Sequence, residues 1–163
     1  MSVYKKEWRA FIPADLDSVW EFFSRPENLD NITPKDMKFE IVSDISGKEM
    51  YEGMMIEYKV SPLLRIPTTW VTEITHIKPK NFFVDEQRVG PYKMWHHEHH
   101  FEEKEGGVMM TDILHYSLPA EPIGSLIMGK FISNKVDGIF KYRNEVIKKY
   151  FPEKRSNDTS YEF

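Results

Sequence analysis

The sequence contains no cysteine among its 163 residues. Disulfide bonds, thiolate nucleophiles and cysteine-ligated zinc or iron–sulfur centres are therefore excluded. No stretch approaches the roughly 18–20 apolar residues of a membrane-spanning helix, so we expect no membrane insertion. The first residues, MSVYKKEWRAFIP, lack the apolar run of a signal peptide, and we therefore predict a cytoplasmic protein.

The sequence also lacks a large excess of positive or negative charge. The 22 Lys and Arg residues are scattered among 26 Asp and Glu residues, for a net charge of −4. Nucleic-acid-binding proteins usually carry a basic face, so we expect no nucleic-acid partner. The sequence also has no nucleophile elbow and no phosphate-binding loop. Aromatic residues are plentiful, at 14%, and suit either an apolar cavity or an ordinary core.

The hydrophobic patterning predicts seven strands, two short helices after the first strand, and one long C-terminal helix. Alternation of apolar and polar residues predicts strands at 3–12, 38–43, 54–60, 68–77, 82–88, 93–104 and 108–118. Three-to-four spacing of apolar residues predicts the long helix at 121–150. Consecutive strands without intervening helices form an antiparallel sheet, and only the long helix can cover its apolar face. We therefore predict an α+β fold.

A hairpin joins the last two predicted strands. Gly106 and Gly107 favour a tight turn because both tolerate positive φ. With both glycines at the centre of the turn, Trp95 is expected to face Leu118. The face carrying His97 and His99 is the more apolar one, and we assign it to the interior.

Four segments placed on these elements carry a resemblance to a known family. They are SVWEFFSRPENLDNITP, DEQRVGPYKMWHHEHHFEE, MMTDILHYSLP and IFKYRNEVIKKYF. Together with the element order, they resemble the SRPBCC (START and Bet v 1-like) superfamily, and more specifically its bacterial ligand-binding, polyketide cyclase/dehydrase-like members. The resemblance implies the helix-grip fold, in which a curved seven-stranded antiparallel sheet wraps around a long C-terminal helix.

The resemblance also implies a function. We expect a single domain at 1–151, a flexible tail at 152–163, and an internal cavity that binds a small hydrophobic molecule such as a lipid, polyketide or aromatic metabolite. We expect no cofactor, and a monomer or a homodimer. One alternative is a cyclase, dehydratase or isomerase, and a second is a protein-interaction module.

Histidines in the MWHHEHHF segment are the first candidate site. His97 and His99 share a strand face and, with Asp112, are candidate catalytic acid–base groups, because histidine titrates near neutral pH. The same residues, with Asp85, could ligate a metal. However, same-face residues lie about 6.5–7 Å apart along a strand, and we expect no metal. A third interpretation is that these residues only orient a ligand or brace the sheet.

Further candidates would line the cavity and contact the ligand. For the aromatic ones, plain core packing is the alternative. A buried arginine needs a partner, so Arg143 would pair with Glu73 or Asp85, or with a ligand carboxylate. The predicted ligand-binding residues are Tyr58, Trp70, Phe83, Asp85, Gln87, Trp95, Tyr116 and Arg143.

Overall fold

Seven strands form one sheet, and one long helix lies against its inner face. A computed structural model describes residues 2–61, 66–119 and 123–153, apart from the side chains of residues 123–128. The strands are β1 (Tyr4–Ile12), β2 (Glu40–Ile41), β3 (Met55–Val60), β4 (Thr68–Lys78), β5 (Phe82–Val89), β6 (Met94–Lys104) and β7 (Gly107–Ser117). The α-helices are α1 (Leu16–Phe23) and α2 (Ile123–Tyr150), with 3₁₀ turns at Pro26–Leu29 and Lys35–Met37.

The strand order across the sheet is β1-β7-β6-β5-β4-β3-β2. Every neighbouring pair is antiparallel. The first strand therefore pairs with the last one and forms one edge of the sheet, with β2 at the other edge. These features confirm the predicted α+β class, with its seven-stranded antiparallel sheet, its short helices after β1 and its long C-terminal helix.

The second strand is much shorter than the predicted range 38–43 and covers only Glu40–Ile41. Lys38 ends a 3₁₀ turn with a φ of +47°, so extended backbone begins late. The two residues after the strand both donate their backbone N–H groups to the carbonyl oxygen of Glu57, at 2.8 and 3.2 Å. Two donors on one acceptor end the regular ladder.

The β6–β7 hairpin turns one residue earlier than predicted. Trp95 pairs with Tyr116 rather than with Leu118. Gly106 has a φ of +82° and occupies the turn. Gly107 is instead the first residue of β7, where an added Cβ would lie 2.2 Å from a backbone oxygen of β1. Because the register changes by two residues, each side chain stays on its predicted face.

Burial alternates along the strands that face α2. In β6, His97, His99 and Phe101 are buried, while the residues between them are partly exposed. The predicted assignment of this face to the interior is therefore confirmed. Trp70, Thr72 and Ile74 are buried with the same period in β4. The centre of the sheet thus presents both imidazoles and indoles to the interior.

Helix α2 packs through Val136 and Phe140, which are 0% and 2% exposed. The Phe140 ring stacks on Trp8 of β1 with ring centroids 3.7 Å apart. The Nζ of Lys6 donates to the carbonyl oxygen of Ser133 at 3.2 Å. These contacts fix the helix against β1 and point its next turn, which carries Arg143, toward the centre of the sheet.

Helix α1 covers the other end of the inner face. Its N-terminus is capped by Asp15, whose carboxylate accepts the backbone N–H of Ser18 at 2.8 Å. Trp20 meets Phe101 edge to face, with ring centroids 5.5 Å apart. The second predicted short helix is a single 3₁₀ turn, Pro26–Leu29, with the proline in its first turn.

Some predictions fall outside the described residues. These are the tail at 152–163, from residue 154 onward, and the predicted helix start at residues 121 and 122. Among the residues that are described, no helix combines the length and apolar character that crossing a membrane would require.

Candidate functional site

A cavity lies between the inner face of the sheet and α2. Its volume is about 130 Å³, several times the roughly 10–15 Å³ that one enclosed water molecule needs. The predicted aromatic residues that line it are Tyr58, Trp70, Phe83 and Trp95. Residues that sequence reasoning missed come mainly from the segment after α1 and from α2, and include Leu29, Ile32, Met37, Phe39, Ile139 and Phe140.

One wall of this apolar cavity is polar. Asp85 in β5, together with His97 and His99 in β6, lines it, as does Arg143 from α2. Across the sheet, Asp85 pairs with His97, and His99 pairs with Asp112 of β7. Asp112 lies behind the two imidazoles and does not line the cavity. We call these five residues the buried network.

Each imidazole of the buried network lies between the two carboxylates. His97 Nε2 is 2.9 Å from Asp112 Oδ1, and its Nδ1 is 3.4 Å from Asp85 Oδ2. His99 Nε2 is 2.8 Å from Asp85 Oδ2, and its Nδ1 is 2.9 Å from Asp112 Oδ1. The last contact is close but lies off the hydrogen-bonding direction. The two ring centroids are 3.8 Å apart, far closer than the spacing along the strand.

Arg143 joins the network through a partner that the sequence did not predict. Its Nη1 donates to Asp112 Oδ1 at 3.4 Å, and its guanidinium lies 4.8 Å from the Phe140 ring centroid. Glu73 lies on the opposite face of β4 by strand alternation, and Asp85 is turned toward the histidines. Arg143 Nε is buried and has no hydrogen-bond partner among the described residues.

The network stabilises charged groups despite its burial. Burial disfavours ionised carboxylates, but hydrogen bonds from His97 and His99 hold the pKa values of Asp85 and Asp112 well below their usual range. Burial also opposes a charged His97. Hydrogen bonds that the His97 ring donates to Asp112 and Asp85 outweigh this effect and raise the pKa of His97 above its ordinary value. The geometry therefore favours two carboxylates facing an imidazolium and a guanidinium.

A second polar group sits on the β3–β4 side of the cavity. The hydroxyl groups of Tyr58 and Thr72 are hydrogen-bonded, and Trp70 Nε1 donates to Thr72 Oγ1 at 3.1 Å. Burial raises the pKa of Tyr58, which keeps the phenol neutral. Sequence reasoning missed Thr72, although its place on the Trp70 face of β4 was an available signal.

Two predicted ligand-binding residues lie away from the cavity lining. Tyr116 is buried and stacks on Tyr4, with ring centroids 5.3 Å apart. Gln87 holds the β5–β6 connection: its Nε2 donates to the carbonyl oxygen of Tyr92 at 2.7 Å, and its Oε1 accepts the backbone N–H of the same residue at 3.3 Å. Through this loop Gln87 places the Tyr92 ring against the cavity.

The remaining histidines of the MWHHEHHF segment lie on the outer face of the sheet. His96 Nδ1 is 2.8 Å from Glu86, and His100 Nε2 is 2.9 Å from Glu98. All four side chains are partly exposed. The segment therefore divides into two inner and two outer histidines, each pair accompanied by carboxylates.

Comparison with known proteins supports the fold at low sequence identity. No protein-family model matches the sequence, and no curated protein is significantly similar to it. Protein Ms6760 from Mycobacterium smegmatis is 12% identical, with a TM-score of 0.68 over 96% of this chain and 99% of that one. Major latex-like protein 151 from Panax ginseng is 17% identical, with a TM-score of 0.66 over 92% and 98%.

A third similar structure is a Thalictrum norcoclaurine synthase point mutant in complex with a transition-state analogue. It is 12% identical, with a TM-score of 0.63 over 91% of this chain and 96% of that one. The latex-like protein and the synthase are Bet v 1-like proteins. The chain therefore has the helix-grip fold of the SRPBCC (START and Bet v 1-like) superfamily.

Proposed function

We propose that the protein binds a small, largely apolar molecule in the cavity between the sheet and α2. The observation that carries this proposal is an interior cavity walled by aromatic rings with a few convergent polar groups, the usual composition of a small-molecule site. The Thalictrum synthase variant, which shares the fold, is in complex with a transition-state analogue. That parallel is an analogy of fold only.

The arrangement of the walls suggests how such a ligand would lie. Trp70 and Ile139 offer apolar surface to the cavity, against which a ring or an acyl chain would pack. Asp85, His99 and Arg143 stand together at the polar wall. A ligand with one hydrogen-bonding group on an otherwise apolar body would therefore place that group at the buried network.

Two measurements test this proposal. Native mass spectrometry of the purified protein should reveal a co-purified small molecule, and an anilinonaphthalene sulfonate dye should bind saturably with enhanced fluorescence. Ile139→Trp fills the cavity from α2, and we expect it to weaken dye binding about tenfold or more, or about 1.4 kcal/mol. Phe131→Trp, at an exposed position of the same helix, is the matched control and should leave dye binding unchanged.

The proposal fails if no small molecule co-purifies and the dye does not bind saturably. It also fails if the two tryptophan variants bind the dye equally, because binding would then not involve the cavity.

A second candidate function is acid–base catalysis on a carbonyl compound, as in a cyclase, dehydratase or isomerase. The observation that favours it is that His97 and His99 line the cavity while both are paired with carboxylates, an arrangement that tunes imidazole basicity. Turnover of activated carbonyl substrates by wild type should exceed that by His97→Ala and His99→Ala. Equal rates in all three would remove both histidines from any mechanism.

A further inference from the structure

We propose that His97, His99 and Asp85 form a binding site for one divalent transition-metal ion at the polar wall of the cavity. Each residue offers a ligand atom, and the three atoms lie within 4.8 Å of one another. His97 and His99 are buried at 3% and 5% exposure. This proposal does not depend on the proposed small-molecule function. Metal uptake can be measured on protein without a ligand, so either proposal can fail while the other stands.

The interatomic distances already approach those of a metal site. Zinc binds imidazole nitrogen and carboxylate oxygen at about 2.0–2.2 Å, so two ligand atoms sharing one ion lie roughly 2.9–3.5 Å apart. Asp85 Oδ2 is 3.4 Å from His97 Nδ1 and 2.8 Å from His99 Nε2. Small side-chain rotations would suffice to place an ion among the three atoms.

The convergence of the two rings removes the objection drawn from strand spacing. Residues two apart on a strand are separated by about 6.5–7 Å, and for this reason the sequence predicts no metal. In the structure the His97 and His99 rings tilt toward each other, with centroids 3.8 Å apart and planes at 46°. Phe83 also stacks on His99, with ring centroids 4.1 Å apart, and helps to hold that ring in place.

The second carboxylate stands where an outer partner of metal-bound histidines is expected. Metal-ligating histidines commonly direct their other ring nitrogen to a carboxylate, which orients the ring. His97 Nε2 is hydrogen-bonded to Asp112 Oδ1 at 2.9 Å, and His99 Nδ1 lies at the same distance from that oxygen but off the hydrogen-bonding direction. Asp112 in turn is held by Arg143. One carboxylate thus faces the proposed ion from the cavity side, and the other orients His97 and contacts His99 from behind.

The donor set indicates which ions fit. Two imidazoles and one carboxylate suit zinc or ferrous iron, and three protein ligands leave coordination positions open. All three residues line the cavity, so the open positions would face it. A water molecule or the polar group of a cavity ligand could then bind the ion directly.

Chelator-stripped protein titrated with Zn²⁺ by calorimetry and with Co²⁺ by visible absorption tests the proposal. We expect one ion per chain and d–d absorption bands typical of nitrogen and oxygen ligands. Asp85→Asn and His99→Ala should abolish the bands. Asp112→Asn, which alters only the supporting carboxylate, should weaken binding about 10–100-fold. Circular dichroism verifies that each variant is folded.

The outer face of the same strand supplies a matched control. The double variant His96→Ala/His100→Ala removes two partly exposed histidines, each paired with a glutamate. We expect this variant to retain stoichiometric binding and the same Co²⁺ spectrum. Absence of Zn²⁺ and Co²⁺ binding by wild type overturns the proposal, as does loss of binding in the outer-face variant. The wild-type and outer-face results stand even if an inner variant fails to fold.

Discussion

Replacing Asp112 with asparagine removes a charge at the centre of the buried network while keeping the side-chain shape. Asp112 is 3% exposed, and its Oδ1 faces His97, His99 and Arg143 at 2.9, 2.9 and 3.4 Å. Removing one partner of a buried ion pair typically costs about 3–5 kcal/mol. Because stabilities are about 5–15 kcal/mol, we expect a large loss, with a melting temperature lower by roughly 6–20 °C.

The outer face again provides the matched control. Glu98 also contacts two histidines, at 2.9 and 3.5 Å, but it is partly exposed. We expect Glu98→Gln to cost less than about 1 kcal/mol, as for other solvated pairs. Urea unfolding at neutral pH in the presence of a chelator, followed by far-ultraviolet circular dichroism, measures both variants. Equal losses for Asp112→Asn and Glu98→Gln would refute the reasoning that burial makes the inner network costly to break.

Three further predictions concern the same framework. The raised pKa of His97 stabilises the folded state fully below its unfolded value of 6.5 and less as pH rises from that value through the folded pKa. Wild type should therefore lose stability over that range in pH-dependent urea unfolding, and a His97→Gln variant with the same slope would contradict this. Thr72→Val removes the acceptor of Trp70 Nε1 and the hydrogen-bond partner of the Tyr58 hydroxyl. It should cost about 1–3 kcal/mol in thermal melting, whereas an unchanged melting temperature would show that other groups replace Thr72. Gly107→Ala should destabilise the fold by more than about 1 kcal/mol because its Cβ would clash with β1. Gly138→Ala, with open space around its Cβ in α2, should instead stabilise the fold by about 0.5–1 kcal/mol. Similar effects of the two substitutions on unfolding free energy would contradict the predicted clash.

Much of the fold could be predicted because its signals are local. Alternation along β4 and β6 and the three-to-four spacing in α2 are set by which face each residue must bury. The errors in the predicted strand bounds and hairpin register arose where the backbone at a single residue determines the local structure. Lys38 delays β2 by adopting positive φ, and the contact of Gly107 with β1 fixes the hairpin register. The residue type alone predicts neither of these roles.

The candidate site could be predicted in part for the same reason. Strand alternation places His97 and His99 on the inner face, together with Asp85 and Asp112. That Asp112 touches both histidines and Arg143 depends on the register of β6 and β7, on the placement of α2 and on side-chain rotamers, which no local pattern encodes. The cavity wall formed after α1, for example by Ile32, escaped prediction because that segment has no periodicity.

The position of the buried network argues for a role beyond holding the sheet together. Strands β6 and β7 already pair continuously from Met94 to Lys104, and their backbone ladder needs no side-chain ion pairs. Breaking a buried ion pair is costly, yet replacing a whole network by well-packed apolar residues is often neutral or stabilising. Stability alone therefore does not require two carboxylates, two imidazoles and a guanidinium beneath an apolar cavity. Their chemistry is accounted for if the wall they form binds something, whether the polar group of a ligand or a metal ion.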